Sequence, residues 1–360
     1  MLYIIFDIIV NHINIKIANK RETSDLIMNN KAKLNNELIE WLLEGPEWIQ
    51  YRVKTDLLGL SENNNDVTSC KSKILRDINI SGLIKEVNYW PGLPIKTHKD
   101  ASHPIHKLVF LADIGLNIND PEVKAVTEKV LTHKSDEGLF QSYIFIPEHF
   151  GGSGEGKWSW MLCDAPLLAY SLTKFDMGNN PDVKNAVKYL TSLISDNGWR
   201  CIVSPDLKFR GPGKKEDPCP YATLIMLKLL AQFEDLKDSY EAKTGAECIL
   251  SLWEKSKELH PYIFYMGTDF RKLKAPLIWY DILHVLDILT LFPWLKEDRR
   301  IREMLEIVIS KAGSSGRFTA ESIYTKLNGW EFSQKKEPSR WITFLVYRIL
   351  NRMNHKIGAG

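Results

Sequence analysis

Three short runs of cations stand at matching places in this sequence: Arg210, Lys214 and Lys215 ahead of Pro220; Arg271, Lys272 and Lys274 ahead of Pro276; Lys335, Lys336 and Arg340 around Pro338. His98, Lys99, His103 and His106 form a fourth around Pro104. Phosphate or diphosphate oxygens accept charge-assisted hydrogen bonds from both ammonium and guanidinium groups, so such runs suit an anionic headgroup. They also suit an ordinary solvated loop face. Paired carboxylates with aromatic rings for stacking would suit glycoside hydrolysis, and Asp164, Asp281 and Asp287 are the candidates. A rim so basic fits a neutral glycan poorly. Trp158, Trp160, Tyr221, Trp279, Tyr280 and Trp341 read either as the wall of an apolar cavity or as core.

What must position these groups is a globular chain. It has 360 residues, 44% of them hydrophobic, which supports a sizeable core and excludes a disordered or fibrous class. Lys and Arg number 47 against 45 Asp and Glu, so no nucleic-acid partner is expected along a long phosphate footprint. Five cysteines, widely spaced and without a CxxC, fit reduced thiols and a cytoplasmic protein. The opening MLYIIFDIIV is short and interrupted by Asp7, and neither it nor any other window reads as a membrane span. Residues 1–27 read as a weakly attached extension, residues 28–355 as one domain, and residues 356–360 as a flexible tail.

The element pattern is a repeat. Pro46, Pro104, Pro166, Pro220, Pro276 and Pro338 each open an apolar segment, at spacings of 58, 62, 54, 56 and 62 residues. Proline suits the first helical turn, where its missing N–H is unpaired anyway, and segments apolar on nearly every face read as inner helices. Between them lie segments with one apolar stripe, such as Val183, Ala186, Val187, Leu190 and Ile194, which read as outer helices. Others are expected at 34–44, 67–78 and 239–258. Gly138, Gly198 and Gly316 follow the outer helices and read as left-handed caps. The period is too long for tetratricopeptide, ankyrin, HEAT or armadillo arrays. The expected fold is all-α, a closed (α/α)6 toroid of six helical hairpins, with all inner-helix N-termini at one end. Their dipoles would add to the cations there.

Six inner and six outer helices with glycine–aromatic turns resemble the α/α-toroid superfamily of terpenoid cyclases and protein prenyltransferase β subunits, over about residues 34–352. The resemblance is sharpest at GPGKKEDPCPYAT, where Asp217 and Cys219 form an Asp-x-Cys at an inner-helix start, and at WYDILH, which offers His284. It implies a catalytic zinc on Asp217, Cys219 and His284, with Asp281 as substitute ligand, in a prenyltransferase-like enzyme. It also implies an isoprenoid diphosphate or other anionic lipid in the central cavity. Thiolate, imidazole and carboxylate are a sensible zinc set. The prolines flanking Cys219 depart from the family, and no Asp-x-Asp-Asp run is present for class II cyclase chemistry. The same residues also read as a helix cap (Asp217), a small buried hydrophobe (Cys219) and a core histidine bonded to a carbonyl (His284). A non-catalytic scaffold remains the third reading, favoured if side chains fill the cavity.

Overall fold

The computed structural model describes residues 34–207, 209, 214–261 and 264–354. The expectations for residues 1–27, for Arg210 and for the C-terminal tail lie outside them.

The described chain is rich in helix, with one β-hairpin. The apolar segments form α2 (Glu47–Arg52, running on as a π turn Val53–Leu57), α5 (Pro104–Asp113), α7 (Ala165–Leu172), α9 (Pro220–Leu230), α12 (Ile282–Leu289) and α14 (Arg340–Asn354). Each residue of α9 and of α12 is buried, as an all-round apolar sequence demands. The striped segments form α1 (Asn36–Leu43), α4 (Ile78–Val87), α6 (Pro121–Thr132), α8 (Pro181–Ser192), α11 (Tyr240–Glu254) and α13 (Arg299–Ile309). Two further helices, α3 (Asn65–Ile74) and the short α10 (Glu234–Lys237), lie between these. On α8 the buried set includes Val183, Ala186, Val187 and Leu190, the dry face read from the sequence.

Consecutive inner helices pack on one another: α5 on α7, α7 on α9, α9 on α12, α12 on α14, and α14 back on α2. Trp48 of α2 meets Phe110 of α5 edge to face with centroids 5.6 Å apart. Gly138, Gly198 and Gly316 adopt φ of +81°, +115° and +74°, the expected left-handed turns. At Gly198 a Cβ would also stand 2.9 Å from the Cys248 sulfur, so the turn needs glycine twice over.

Three sequence expectations are corrected. Pro276 is not in the first turn of its helix; it follows a cis peptide after Ala275 and precedes α12, whose cap is Asp281 accepting from the His284 N–H at 3.0 Å. The helix expected over 67–78 is present as α3, but it packs on α2, and the helix that packs on α5 is α4, which the sequence reading did not include. Asp77, which accepts from Asn79 and Ile80 N–H, starts α4. Antiparallel β1 (Ser142–Phe145) and β2 (Gly156–Ser159) form a hairpin between α6 and α7 that the helical pattern did not foresee.

Candidate functional site

The inner helices meet two chemically different environments at their two ends. Near the C-terminal ends stand Arg52 and Asp56, Asp113, Lys174, Lys228, Asp287, and Arg348 and Arg352, at least one from each inner helix or the turn that extends it. Asp287 accepts from Arg348 Nη2 at 2.8 Å and Nε at 3.1 Å and from Arg352 Nη1 at 3.0 Å. Arg52 pairs with Asp56 at 2.6 Å, Arg348 reaches Asp56 at 3.6 Å, and Lys228 holds Asp113 at 3.0 Å. Burial alone would raise the Asp287 carboxyl, but Arg348, Arg352 and Lys228 outweigh it and hold it well below the usual range. These cations outnumber the carboxylates, and the excess faces the partial negative charge of about half a unit that each helix C-terminus carries. This end is a neutralised structural network, which removes Asp287 from the set of acids available for chemistry.

An aromatic cluster joins α2, α5 and α14 to the connection between α13 and α14. Trp48, Phe110, Trp330, Phe332 and Trp341 pack mostly edge to face at 5.0–6.4 Å, and Trp330 stacks on Phe332 at 5.3 Å. The void beside Phe110, Trp330 and Phe332 is about 10 Å³, room for about one water. The chain's own aromatic residues thus fill the space where α2, α5 and α14 meet. Trp330 and Phe332 arrive on the long connection between α13 and α14, which helical periodicity gave no reason to place among these helices.

At the N-terminal end the sequence-derived candidates separate. Lys214 and Lys215 are exposed, Arg271 lies over the Trp253 ring of α11 at 5.2 Å, and Lys272 pairs with Asp269 at 2.6 Å. Lys335 and Lys336 are exposed, and Arg340 lies over Trp41 at 4.7 Å. His103 caps α5, its Nδ1 accepting from the Ile105 N–H at 3.2 Å, and the His106 ring meets the His98 carbonyl at 2.9 Å. Burial pushes His98 and His103 down to about 4 and His106 to about 3, so these three rings are neutral near pH 7 and are not part of a cationic rim.

Two cations of this end lie over aromatic rings. Lys274 lies with its ammonium 3.4 Å from the centroid of the Tyr324 ring, and Lys99 lies 4.9 Å from that of Trp279. Burial lowers Lys274, the neighbouring Asp281 raises it, and Lys99 lowers it by less than Asp281 raises it. Among the described residues neither has a carboxylate within ion-pair distance. Trp279 is held from two sides: Tyr221 tilts against it at 4.5 Å and donates to the neighbouring Ile278 carbonyl at 3.0 Å, while Phe264 stacks at 5.5 Å. The Lys274 loop is anchored by Glu321, which accepts from the Leu273 N–H at 2.8 Å. Tyr324 and Glu321 come from the α13–α14 connection, and sequence reading missed their part here; the aromatic-rich run YTKLNGWEF was the available signal.

Asp281 lies beside Lys274 and Tyr324. Its Oδ1 caps α12, and its Oδ2 is buried with no hydrogen-bond partner among the described residues. Burial raises this carboxyl to about 7, against weaker downward pulls from the His284 N–H and Lys274. An unfolded aspartate titrates near 3.9, so the folded chain binds more protons between about pH 4 and 7, and stability falls as pH rises through that window. Asp281→Asn keeps a capping oxygen and removes the titration. Its stability in urea is therefore expected to depend less steeply on pH than that of the parent, with the gain largest at pH 8; parallel profiles would show that Asp281 does not hold its proton.

The other predicted ligands do not join Asp281 around one metal. Asp217 accepts from the Lys214 N–H at 3.2 Å, the Cys219 sulfur caps α9 through the Ala222 N–H at 3.5 Å, and His284 Nδ1 faces the Trp279 carbonyl at 2.8 Å. Cys219, not Asp217, is thus the cap, and His284 is the carbonyl-bonded core histidine of the alternative reading. Burial lowers His284 to about 4, and Lys228 lowers it further. Among the described residues no group of three His, Cys, Asp or Glu side chains is placed to hold a metal ion. The residues do not fit the zinc site that the resemblance implies. Of the glycosidase candidates, Asp164 is also raised to about 7 by burial, but its Oδ1 is turned to the Met161 N–H at 2.9 Å.

Among the described residues no helix is long and apolar enough to cross a membrane. No protein-family model matches the sequence, and no curated protein matches it either. Among solved structures the chain is similar to a protein from Actinoplanes, at 12% identity and TM-score 0.38 over 85% of this chain and 89% of that one. It is similar to the apo form of the type II terpene cyclase MstE from Scytonema, at 12% identity and TM-score 0.37 over 85% and 87%. A substrate complex of a variant of that cyclase, holding geranylgeranyl dihydroxybenzoate, matches at 12% identity and TM-score 0.36 over 85% and 86%. At TM-scores under 0.5 no site and no activity is carried from these proteins to this chain.

Proposed function

We propose that the inner helices close into an (α/α)6 ring and that its N-terminal end binds a small molecule with an anionic head and an apolar body, an isoprenoid diphosphate being the first case to test. The observation that carries this reading is that Lys99 and Lys274 each lie over an aromatic ring without an ion pair among the described residues, and that Lys99 lowers Lys274 while Asp281 raises it. An anion bound at both ammonium groups would relieve the repulsion between them. Phosphate oxygens would accept hydrogen bonds from the ammonium groups, and the apolar body would lie along Trp279, Tyr221 and Phe264. Asp281 holds a proton beside this site near neutral pH.

Calorimetry with inorganic pyrophosphate and with a prenyl diphosphate tests the proposal. Each charge-assisted bond lost costs on the order of 1.5–3 kcal/mol, so Lys99→Ala and Lys274→Ala are each expected to weaken binding more than tenfold, while Lys214→Ala and Lys215→Ala leave it unchanged. Absence of binding by the parent chain would overturn the reading. The dense aromatic packing between α2, α5 and α14 favours a second one, a scaffold without a small ligand, and that negative result would select it.

A further inference from the structure

We propose that Cys163, Cys201 and Cys219 form an oxidation centre in which peroxide converts Cys201 and Cys163 into a disulfide. The argument begins in the backbone. Met161 pairs with Val203 in an antiparallel bridge, closed by Leu162 N–H to the Ile202 carbonyl at 2.9 Å and Ser204 N–H to the Trp160 carbonyl at 2.9 Å. Those bonds flank Met161 and Val203, so this pair is of the close, non-hydrogen-bonded kind. The first strand turns just after this bridge, where the Asp164 N–H bonds to the Met161 carbonyl, so Cys163 directly follows Leu162 and Cys201 directly precedes Ile202 at the edge of the bridged pair. A second antiparallel bridge, Arg200 with Pro218, and the Cys219 N–H to the Trp199 carbonyl at 2.7 Å bring the third cysteine to the same place. The Cys163 thiol contacts both Cys201 and Cys219.

Access differs among the three. Cys163 is buried, whereas Cys201 and Cys219 are half exposed, and no cysteine of the chain is in a disulfide. An oxidant therefore reaches Cys201 or Cys219 before Cys163, and Cys201, on the strand bridged to that of Cys163, is assigned the first step. Its sulfur attacks one peroxide oxygen, the O–O bond breaks, and the departing hydroxide takes up the thiol proton and leaves as water, giving a sulfenic acid. The Cys163 sulfur then attacks the Cys201 sulfur, the S–O bond breaks, and the hydroxide leaves as a second water with the Cys163 proton. Two thiols lose two electrons and peroxide is reduced to water. Cys219, touching Cys163, is placed to attack the new bond and move it. Cys219 caps α9 one residue before Pro220 and two before Tyr221, so exchange onto it would reach the aromatic wall beside Trp279.

The full chain, reduced and then treated with stoichiometric hydrogen peroxide, gives the test. Thiol titration under denaturing conditions is expected to fall from five thiols to three per chain, with dithiothreitol restoring five. Peptide mapping is expected to find Cys163 joined to Cys201. In Cys163→Ser the sulfenic acid on Cys201 is expected to persist and be trapped by dimedone. In Cys201→Ser that adduct is expected to be absent. An unchanged thiol count, irreversible oxidation to sulfinic acid without a disulfide, or a linkage that omits Cys163 would overturn the proposal. A Cys163–Cys219 linkage formed in Cys201→Ser as fast as in the parent would overturn the assignment of Cys201 as the first thiol. Because the mapping uses the unmutated chain, failure of a serine variant to fold leaves the result readable.

Discussion

Asp287→Ala is expected to remove about 3–5 kcal/mol of folding stability, because it leaves buried guanidinium groups without their counter-charge. Asp287 is 6% exposed and Arg348 likewise 6%, so water cannot take over the lost bonds. Truncation strands three hydrogen bonds from Arg348 and Arg352 at once. The effect would be read as a fall in urea midpoint with unchanged dependence on denaturant, which separates lost stability from a changed unfolded state. Replacing all three partners, as in Asp287→Leu with Arg348→Met and Arg352→Met, is expected to recover most of the loss, since a matched apolar set carries no desolvation penalty. A single variant as stable as the parent would mean that the arginines already reach solvent. The network also predicts acid sensitivity. Arg348 and Arg352 hold the Asp287 carboxyl below its unfolded value against the upward push of burial, so the stability it contributes is present above about pH 4 and is lost as pH falls further.

Trp48→Ala is expected to cost about 3–5 kcal/mol as well, by a different route. Trp48 is 1% exposed and touches Phe110, Trp330, Phe332 and Trp341, which come from two other inner helices and the α13–α14 connection. Removing the indole loses its transfer free energy and leaves a void that rings held by separate elements close only in part. The same void would stand where the axial cavity was expected. Thermal stabilisation of Trp48→Ala by a small apolar solute such as benzene or indole, without effect on the parent, would show that the void is dry and open. A loss below about 1 kcal/mol would mean that the plug residues Trp330 and Phe332 collapse inward, and that the α13–α14 connection is looser than its packing implies.

The alternation of all-round apolar and striped segments was enough to find five of the inner helices close to their starts, and the glycine turns were legible because positive φ is a local property of the chain. The rest was not local. Helical periodicity does not report a hairpin such as β1–β2, nor a break imposed by one capping residue such as Asp77. The chemistry was legible by residue type and not by grouping. Lys99 and Lys274 each stood in a basic run, yet their neighbours Lys272 and Arg271 turn to Asp269 and Trp253, while the neighbouring His98 is neutral. Charge in a sequence is a count, and whether two charges face one another depends on loops whose paths are set by anchors as distant as Glu321 on Leu273. Cys163 and Cys201 likewise lie far apart in the chain and meet only through a bridge register. The aromatic cluster is the clearest case. Periodicity determined that apolar faces must be buried, but it could not say that Trp330 and Phe332, from a segment without helical pattern, would bury them, because only the three-dimensional path of that connection brings two more rings against Trp48 and Phe110.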